Sequence, residues 1–558
     1  MNSSQVIGEG FNERFNKRFF WMKTVLGRIP ARTQVSRIGA ASITVFAVAA
    51  AVLVGGCAAV RHDAPRPVSH AIDDPQHTQL ARRFATQLPS EPGMSGFRLL
   101  TSGQDALLAR AALAEVARHT LDLQYYVVAD DETSTVLLYQ ALLAAQRGVR
   151  VRLLIDDLGV GYRDSHLAIL ASHPNVQLRV FNPFAWRGSP SLAWALDYLT
   201  GGARLNRRMH NKLWIVDNAA VVIGGRNLSD AYFKADSLNN FADLDVLLVG
   251  PLVAAASRSF DDYWNSEWAV PIQAFTGTAP APEHSELLVS QMAARAAAFH
   301  DSDYVRELLA TGFGAKVRSG EIELITAPAT MLHEAPIERM TSGADQLGSV
   351  LPRLHGPIVT AQHEVVLVSP YFVPNDRGIE TVCSLTRRGV SVRVLTNSLA
   401  STDVPAVHAA YARYRPRLLA CGVALYEFHP VVPRAAGARR LPSSSISLHA
   451  KAIMVDRKTI LIGSMNLDPR SRLTNTEVAV LIESAALGRE LANWFNEATS
   501  LARSYRPELT TPGDPNAPLT WTGCEDDRLQ HYASEPGAGW WRRFGSGLLG
   551  VLVPEELL

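Results

Sequence analysis

Apolar runs and helical patterns alternate regularly along the first part of the chain. A helical pattern at 105–118 is followed by an apolar run at 121–128, and a second helical pattern at 133–147 is followed by an apolar run at 149–155. Strands that alternate with helices favour a mostly parallel sheet that is covered by helices. This pattern predicts an α/β fold for the first part of the chain.

The second part of the chain repeats the same order. The run at 364–373 matches the run at 121–128, and residues 388–395 match residues 147–154 almost one for one. An internal duplication favours two similar domains that are related by a pseudo-twofold axis. We therefore predict two duplicated α/β/α sandwich domains with mostly parallel sheets and one active site between them.

Changes in composition along the chain indicate the domain boundaries. Prolines among polar residues indicate a tether from the membrane to the first domain, and an alanine-rich helical pattern separates the two repeats. The predicted segments are a basic N-region with a lipoprotein signal or membrane anchor at 1–60, a Pro-rich linker at 61–95, a first domain at 96–270, an insertion or linker at 271–350, a second domain at 351–508 and a C-terminal interfacial tail at 509–558.

Each repeat contains one copy of a motif with chemically active residues. The first copy consists of His210, Lys212, Asp217, Gly224 and Asn227. The second copy has the same residue types at the same spacing. Chance does not explain two such copies with the same apolar filling. The acidic segments that follow the motifs also correspond. The second copy and the two acidic segments are His449, Lys451, Asp456, Gly463 and Asn466, and residues 239–245 and 475–477.

Each motif copy predicts a β-hairpin. Side chains alternate between the two faces of a strand, so His210 and Lys212 point the same way. The apolar residues at 213–216 suit a buried strand, and Asp217-Asn218 has the turn chemistry that precedes a returning strand. We predict that each hairpin presents an imidazole and an ammonium group at one end.

The paired motifs suit chemistry at phosphorus. An imidazole serves as a nucleophile or as a general acid and base, and a lysine supplies positive charge for phosphate oxygens. When two copies meet, one histidine attacks while the other protonates the leaving oxygen. Four cationic or polar donors then replace a metal ion, so we predict neither a metal nor a cofactor. The remaining predicted roles are phosphate binding by Asn227, Asn466 and Ser464, and orientation of the imidazoles by Asp217 and Asp456.

The repeated H-x-K-x4-D-x6-G pattern resembles the phospholipase D superfamily. The resemblance covers about residues 97–505 and implies two phospholipase D-like domains and a phosphohistidine intermediate. It implies His210 as the nucleophile and His449 as the acid, although the near-symmetry of the two copies leaves this order open. Segments at 125–126, 239–245 and 370–374 look most like those of bacterial cardiolipin synthases of the C type. Such enzymes transfer a phosphatidyl group onto phosphatidylglycerol.

The motif leaves three alternative functions open. A hydrolytic phospholipase D that releases phosphatidic acid shares every motif residue and differs only in its use of water as the acceptor. A secreted nuclease needs a basic groove with stacking aromatics, and dense basic runs occur only at 204–208 and 434–440. The third alternative, from a different class, is an inactive lipoprotein that binds anionic lipid or a partner.

Composition narrows the expected partners. Of the 558 residues, 47% are hydrophobic and 19% are charged, with a formal net charge of +1. The chain therefore lacks the global positive charge of many nucleic-acid-binding proteins, and we expect no nucleic-acid partner. We expect a phospholipid substrate and a membrane. The duplication makes one chain sufficient for the active site, while the oligomeric state stays undetermined.

The cysteines indicate neither a zinc site nor a disulfide framework. The chain contains four widely spaced cysteines without a C-x-x-C motif. A single bridge between Cys383 and Cys421 is open but has no support in the sequence. The acidic pair Asp156-Asp157 follows a predicted strand, where it could line a site, but we predict that it lies in a solvated loop.

The N-terminal region has the pattern of a targeting segment. Residues 1–38 are polar and basic, and residues 39–60 carry no charge. Small residues precede Cys57, so this region resembles a bacterial lipoprotein signal in which Cys57 becomes lipidated. An uncleaved anchor is the alternative, because the apolar run is long enough to span a bilayer. Both interpretations place the bulk of the protein on the periplasmic side of a bacterial cell envelope. Translation from Met22 instead of Met1 stays open.

The C-terminal segment ends in aromatic, basic and apolar residues. Trp540, Trp541, Arg542 and Arg543 precede an apolar run at 548–553 that is too short to span a bilayer. Aromatic and arginine side chains beside short apolar helices favour the bilayer interface. The alternative is a segment that docks on the catalytic core.

Overall fold

The structure is a computed structural model. The structure describes residues 64–89, 91, 93–161, 164–184, 202, 204–236, 238–276, 281–336, 350–430, 445–525, 528–553 and 555. The predicted signal or anchor and Cys57 lie outside the described residues. Among the described residues, no helix is both long enough and apolar enough to cross a membrane.

Within the described residues, the first half of the chain forms nine strands and six helices. The strands are β1 (Met94–Leu100), β2 (Thr120–Val128), β3 (Arg150–Val160), β4 (Val176–Phe181), β5 (Leu213–Val216), β6 (Ala220–Gly224), β7 (Asn239–Ala242), β8 (Asp245–Val249) and β9 (Ala269–Pro271). The helices are α1 (Gln79–Ala85), α2 (Gly103–Val116), α3 (Glu132–Gln146), α4 (Asp164–Leu170), α5 (Val253–Trp264) and α6 (Gln273–Thr276).

In the part of the connecting region that the structure describes, three helices lie between the two halves, and the second half then repeats the first. The connecting helices are α7 (Pro282–His300), α8 (Asp303–Ala310) and α9 (Phe313–Ser319). The later strands are β10 (Ile325–His333), β11 (Glu364–Val368), β12 (Ser391–Asn397), β13 (Ala424–Phe428), β14 (Ser445–Leu448), β15 (Ala452–Val455), β16 (Thr459–Gly463), β17 (Val478–Glu483), β18 (Ser504–Leu509), β19 (Leu519–Glu525) and β20 (Arg528–Tyr532). The later helices are α10 (Val350–Val359), α11 (Asn375–Arg387), α12 (Pro405–Ala420), α13 (Pro469–Leu473), α14 (Ala485–Ala498) and α15 (Trp540–Leu552).

Strand order confirms the duplicated α/β fold. The first half pairs its strands in the order β1–β8–β6–β5–β2–β3–β4–β9. The second half pairs them in the matching order β10–β17–β16–β15–β11–β12–β13–β18. The two orders correspond position by position, and pairing of β1 with β10 joins the halves.

The prediction of mostly parallel sheets holds only for the centre of each half. Strands β2, β3 and β4 are parallel, as are β11, β12 and β13. The other strands of these two sheets pair antiparallel, because the motif hairpins are inserted beside β2 and β11. The helical crossovers that the sequence pattern revealed exist only between the parallel strands.

Both hairpins turn where the motif aspartates lie. Asp217 and Asn218 adopt positive φ angles of 52° and 47°, and Asp456 and Arg457 adopt 50° and 54°. Two successive residues with positive φ angles give the type I′ turn, whose twist matches that of the strands in a hairpin. The hairpins β5–β6 and β15–β16 are therefore confirmed, with their histidines at the opposite end from the turn.

A hydrophobic core shared by both halves fixes their relative position. One core belongs mainly to each half, and a third contains residues of both, including Ile215 and Val246 from the first half and Met454 and Val480 from the second. These four side chains are at most 1% exposed. Because the motif hairpins contribute to this shared core, folding brings the two motifs together.

The connecting segment divides differently from the prediction. Met292, Val305 and Val317, from α7, α8 and α9, are buried in the core of the first half. Strand β10 is the counterpart of β1 and forms the edge of the second half by pairing with β17. The second domain therefore begins near residue 325 and not at 351.

The predicted linker at 61–95 is bound to the first half over its described part. The backbone N–H of Ala71 donates to Asp261 at 2.8 Å, and Arg152 donates to the carbonyl oxygen of Ser69 at 2.8 Å. Leu80 and Phe84 on α1 are 1% exposed. These contacts hold the described part of the predicted linker against the first half.

The bridge between Cys383 and Cys421 is present. It joins α11 to the residue that follows α12, with the two Cα atoms 5.4 Å apart. Cys524 is a free cysteine with intermediate exposure. One disulfide therefore links α11 to the end of α12, and it is the single bridge that the sequence left open.

A glycine substitution tests the packing of α14 on the second hairpin. A Cβ atom at Gly488 would lie 2.0 Å from the carbonyl oxygen of Arg457. We expect Gly488→Ala to lower the free energy of unfolding by about 1–3 kcal/mol, although alanine favours helices. Thermal melting of the full chain in detergent measures this effect.

Gly547 on α15 provides the matched control. A Cβ atom there meets no atom within 4 Å. We expect Gly547→Ala to leave the melting temperature unchanged or to raise it, since it removes only the entropic cost of a helical glycine. An equal effect of the two substitutions would contradict the close approach of Gly488 to Arg457.

Candidate active site

Each half of the protein fixes the backbone of the other half's histidine. The N–H of His210 donates to the carbonyl oxygen of Thr476 at 3.0 Å, and the N–H of His449 donates to that of Ala242 at 2.8 Å. Strands β7 and β14 pair in parallel immediately before Asp243 and His449. The two motif histidines are therefore positioned by segments that are remote in sequence.

A carboxylate from the opposite half orients each imidazole. Nδ1 of His210 lies 3.0 Å from Oε2 of Glu477, and Nδ1 of His449 lies 2.7 Å from Oδ2 of Asp243. A carboxylate at Nδ1 favours the tautomer that carries its proton there and leaves Nε2 available for chemistry. Neither half alone supplies both the motif histidine and the carboxylate that orients it.

The orienting carboxylates are themselves held in place. The hydroxyls of Ser464 and Ser471 donate to the two carboxylate oxygens of Glu477 at 2.5 and 2.7 Å. Oδ1 of Asp243 accepts from the N–H of Leu244 at 2.7 Å. Glu477 and Asp243 are fully buried, so these bonds supply the donors that water cannot.

The two motif lysines are buried beside their histidines. Nζ of Lys212 donates to the carbonyl oxygen of His210, and Nζ of Lys451 donates to that of His449. Nζ of Lys451 also lies 2.9 Å from Nδ1 of His449. Each lysine is 1% exposed. The negative charges of the two orienting carboxylates offset these ammonium charges, as a buried site requires.

Burial dominates the ionisation of these groups. Loss of hydration, followed by the charges of the motif lysines, keeps the pKa of His210 and of His449 well below the usual value. Burial lowers the pKa of Lys451 to about 8 and raises the pKa of Glu477 to about 7. Both imidazoles are therefore neutral near physiological pH, which is the form that a nucleophile requires.

Aromatic rings flank both imidazoles. The ring of Tyr126 meets that of His210 edge-on, with centroids 5.0 Å apart. Tyr232 and Phe241 lie 5.0 and 5.1 Å from the ring of His449. The hydroxyl of Tyr232 is 3.4 Å from Nε2 of His449. These contacts restrict the rotation of each imidazole and exclude water from its faces.

The motif aspartates do not orient the histidines. The carboxylate of Asp217 accepts from the backbone N–H groups of His119 and Thr120 at 2.8 and 2.9 Å. The N–H groups of Gln362, Glu364 and His363 bind Asp456 and keep its pKa below the usual value, although burial opposes this shift. Both aspartates attach a hairpin turn to the chain that enters the neighbouring strand, so the predicted catalytic role is wrong.

The predicted phosphate-binding residues have different surroundings. Asn227 accepts from the N–H of Val127 at 3.1 Å and donates to the hydroxyl of Tyr232 at 2.9 Å, which favours a positioning role. Ser464 supports Glu477, as described above. Oδ1 of Asn466 is buried without a hydrogen-bond partner among the described residues. Phosphate binding by Asn466 stays a prediction.

Asp156 is buried and not in a solvated loop. It lies 3.4 Å from a guanidinium nitrogen of Arg208 and accepts from the N–H of Met209 at 2.9 Å. Its backbone is the end of the pairing between β3 and β4. Asp156 therefore fixes the segment that leads into His210.

The roles of Glu477, Asp243 and Tyr232 were not predicted from the sequence. The signal for the first two was present, since the segments at 239–245 and 475–477 were matched between the repeats. In the sheets, Gly224 pairs with Asp245 and Gly463 pairs with Ala479, which makes Asp243 and Glu477 equivalent. No comparable repeat signal marked Tyr232.

The duplicated fold and the single site of two histidines and two lysines define the phospholipase D superfamily. The family described as "Cardiolipin synthase, PLD-like domain" matches residues 111–264 and 356–499, and each range contains one motif. The chain belongs to this family. It is therefore an enzyme of the phosphatidyltransferase type within the superfamily.

Individual relatives agree with this assignment. The chain is 37% identical over 494 residues to cardiolipin synthase C of Escherichia coli (strain K12), a match that covers 86% of this chain and 100% of the relative. It is 31% identical over 505 residues to an uncharacterized protein of Helicobacter pylori (strain 26695), covering 90% of this chain and 97% of the relative.

A solved structure shares the fold. The phosphatidylserine synthase of Haemophilus influenzae Rd KW20 aligns with a TM-score of 0.50 and 13% sequence identity. The alignment covers 75% of this chain and 90% of that chain.

The support of Glu477 predicts a specific change in the pH dependence of activity. Burial raises the pKa of Glu477 to about 7, and the hydroxyl of Ser464 opposes this rise by donating to the ionised form. The ionised carboxylate is present above this pKa and is lost as the pH falls through it. We expect Ser464→Ala to move the acidic limb of the kcat/KM profile to higher pH.

Two further variants separate this effect from general damage. Ser464→Thr keeps the hydroxyl and should keep the limb near its original pH. Ser290→Ala removes an exposed hydroxyl that bonds only to the carbonyl oxygen of Leu287 and should change nothing. An acidic limb that does not move in Ser464→Ala would show that Glu477 does not control activity.

Proposed function

We propose that this enzyme transfers a phosphatidyl group through a phosphohistidine intermediate to phosphatidylglycerol, and thereby makes cardiolipin. The observation that supports the proposal most is the pair of buried histidines, each with its Nδ1 held against a carboxylate of the other half. The similarity to cardiolipin synthase C supports the choice of acceptor.

In the first step, Nε2 of His210 attacks the phosphorus of the donor lipid. A phosphorus–nitrogen bond forms, the bond to the headgroup oxygen breaks, and His449 gives a proton to that oxygen. The ammonium groups of Lys212 and Lys451 stabilise the charge on the remaining phosphate oxygens. These two ammonium groups supply the positive charge that the phosphate oxygens need in this step.

Substrate binding makes it easier for His449 to take up a proton from solvent, which it then donates in the first step. In the free site, burial and the nearby lysines keep the pKa of His449 low. An anionic phosphodiester between the two lysines offsets their charge, and a nearby negative charge favours imidazolium. His449 then enters the first step as the acid and leaves it as the base.

In the second step, a glycerol hydroxyl of phosphatidylglycerol replaces the departed headgroup. His449 accepts the hydroxyl proton, the oxygen attacks phosphorus, and His210 leaves as a neutral imidazole. Water at the same position would give phosphatidic acid. The burial of both histidines, each 6% exposed, favours the lipid hydroxyl over bulk water.

We further propose that the enzyme works on the periplasmic side of the cell envelope. Disulfides persist in oxidising compartments, and the Cys383–Cys421 bridge fits that environment. The lipoprotein-like or anchor-like N-terminal segment agrees with this location, because its basic flank favours the cytoplasmic side.

Product analysis tests the proposed reaction. Full-length enzyme incubated with phosphatidylglycerol vesicles, with and without phosphatidylethanolamine, should form cardiolipin that lipid mass spectrometry detects. We expect His449→Ala to lower the rate about 100- to 10,000-fold, as for loss of a general acid, and His210→Ala to lower it at least as much. The solvent-exposed His363→Ala is the control. Phosphatidic acid as the only product would establish a hydrolase instead.

The same variants also determine the order of the two histidines. A phosphatidyl-p-nitrophenol substrate has a leaving group that needs no protonation. If His210 is the nucleophile, His449→Ala should release one equivalent of nitrophenol and retain the phosphatidyl group on His210. A covalent adduct on His449 in the His210→Ala enzyme would reverse the assignment.

Alkylation in intact cells tests the proposed location. In acid-quenched cells that express the full chain, Cys383 and Cys421 should resist a maleimide until they are reduced. Cys524 is free and should react in the same samples without reduction. Equal reactivity of all three thiols before reduction would contradict a periplasmic location.

A further inference from the structure

The C-terminal helix α15 is docked on the second half by one of its faces. Leu549 packs beside Ala406, Val407 and Ala410 of the α12 region, where Val553 just beyond the helix is 8% exposed. The Arg542 guanidinium donates to the carbonyl oxygens of Leu399 and Thr402. The alternative of docking on the core therefore holds for this face.

The opposite face of α15 exposes an aromatic cluster. Trp540, Trp541, Phe544 and Leu548 are 62%, 77%, 56% and 50% exposed. The rings of Trp540 and Phe544 are stacked with centroids 5.4 Å apart, and Trp541 lies 4.4 Å from Trp540. Every exposed large aromatic side chain in the described part of the chain belongs to this cluster.

The charge of α15 complements an anionic surface. The helix contains Arg542 and Arg543 and no acidic residue. Helices with exposed tryptophan and phenylalanine beside arginine lie in the interface of a bilayer, where anionic lipids attract their positive charge. A protein partner would have to cover four large apolar side chains, whereas a bilayer accommodates them without a specific shape.

Helix α15 contacts the loop at 398–404, which follows β12 and supports the residues before His449. The side chain of Asn397 exchanges hydrogen bonds of 2.9 Å with both backbone groups of Leu448, the residue before His449. The hydroxyl of Ser447 donates to the carbonyl oxygen of Ser401 at 2.5 Å. Arg542 bonds to the same loop at Leu399 and Thr402.

We propose that α15 is a bilayer-docking helix, which inserts Trp540, Trp541, Phe544 and Leu548 into an anionic phospholipid surface and so places the active site at that surface. The inference rests on the proposed function, since a lipid substrate must leave the bilayer to reach buried histidines. The short loop between α15 and His449 transmits the orientation of the helix to the site.

Fluorescence quenching tests the insertion directly. Full-length protein is reconstituted into vesicles of phosphatidylglycerol and brominated phosphatidylcholine, whose bromine atoms quench tryptophans within the bilayer. We expect quenching of the wild type to exceed that of Trp540→Phe/Trp541→Phe, because only the wild type has these two tryptophans. Equal quenching of the two proteins would overturn the proposal, and this readout does not depend on catalytic activity.

A comparison of two substrates tests the effect on catalysis. We expect Trp540→Ser/Trp541→Ser/Phe544→Ser to lower the transfer rate on vesicles at least about tenfold, since apolar contact drives interfacial binding. The rate with dibutyroyl phosphatidylglycerol below its micelle concentration should stay unchanged. The N-terminal segment is present in every variant, so the difference reports orientation at the surface.

Leu309→Ser/Leu529→Ser is the matched control, because these side chains are 48% and 58% exposed on other elements. This control should keep both rates. Equal losses on both substrates in the triple variant, or no loss on vesicles, would overturn the proposal. A lower mass of the detergent-solubilised triple variant than of the wild type would also overturn the proposal, because it would show that the cluster binds a second copy of the chain. A wild type that is inactive on both substrates would reject the proposed function alone, and quenching would still decide whether α15 inserts.

Discussion

The active site depends on a reciprocal exchange between the two halves. Glu477 of the second half orients His210 of the first, and Asp243 of the first half orients His449 of the second. The backbone N–H of each histidine also donates to a carbonyl oxygen of the opposite half. A shift of one half against the other would therefore break both catalytic pairs at once. The shared hydrophobic core prevents this shift, so packing energy and catalytic geometry have a common structural origin.

Burial of this many charges is costly, and the cost has a function. Lysines and carboxylates taken out of water must be paired, and Lys212 and Lys451 face Glu477 and Asp243 in approximate electrical balance. A phosphodiester that enters the site adds negative charge where two ammonium groups lie in a medium of low dielectric constant. Electrostatic attraction is stronger there than in water. The same charges whose burial lowers the stability of the fold therefore stabilise the bound phosphate.

The motifs could be predicted from the sequence, but the carboxylates that orient the motif histidines could not. The duplication, both hairpins and the meeting of His210 with His449 followed from local periodicity and repetition. The role of Asp217 in attaching the hairpin turn was not predicted, although the geometry of a hairpin argued against the predicted orientation of His210 by Asp217. Seven residues of extended chain span roughly 20 Å, so Asp217 and His210 belong to opposite ends of one hairpin strand. Glu477 reaches His210 through tertiary packing, and spacing along the chain contains no measure of such a distance.

Departures from the internal symmetry assign different surroundings to two similar histidines. Gly225 and Ser464 occupy equivalent positions, and a Cβ atom at Gly225 would lie 2.2 Å from the carboxylate of Asp243. The shorter aspartate is thus approached by bare backbone, whereas the longer Glu477 receives the hydroxyl of Ser464. Only His449 has a tyrosine hydroxyl near Nε2 in the described structure. A nucleophile and an acid–base group perform different tasks and need different surroundings. These differences between the two repeats give the duplicated site the asymmetry that the two tasks require.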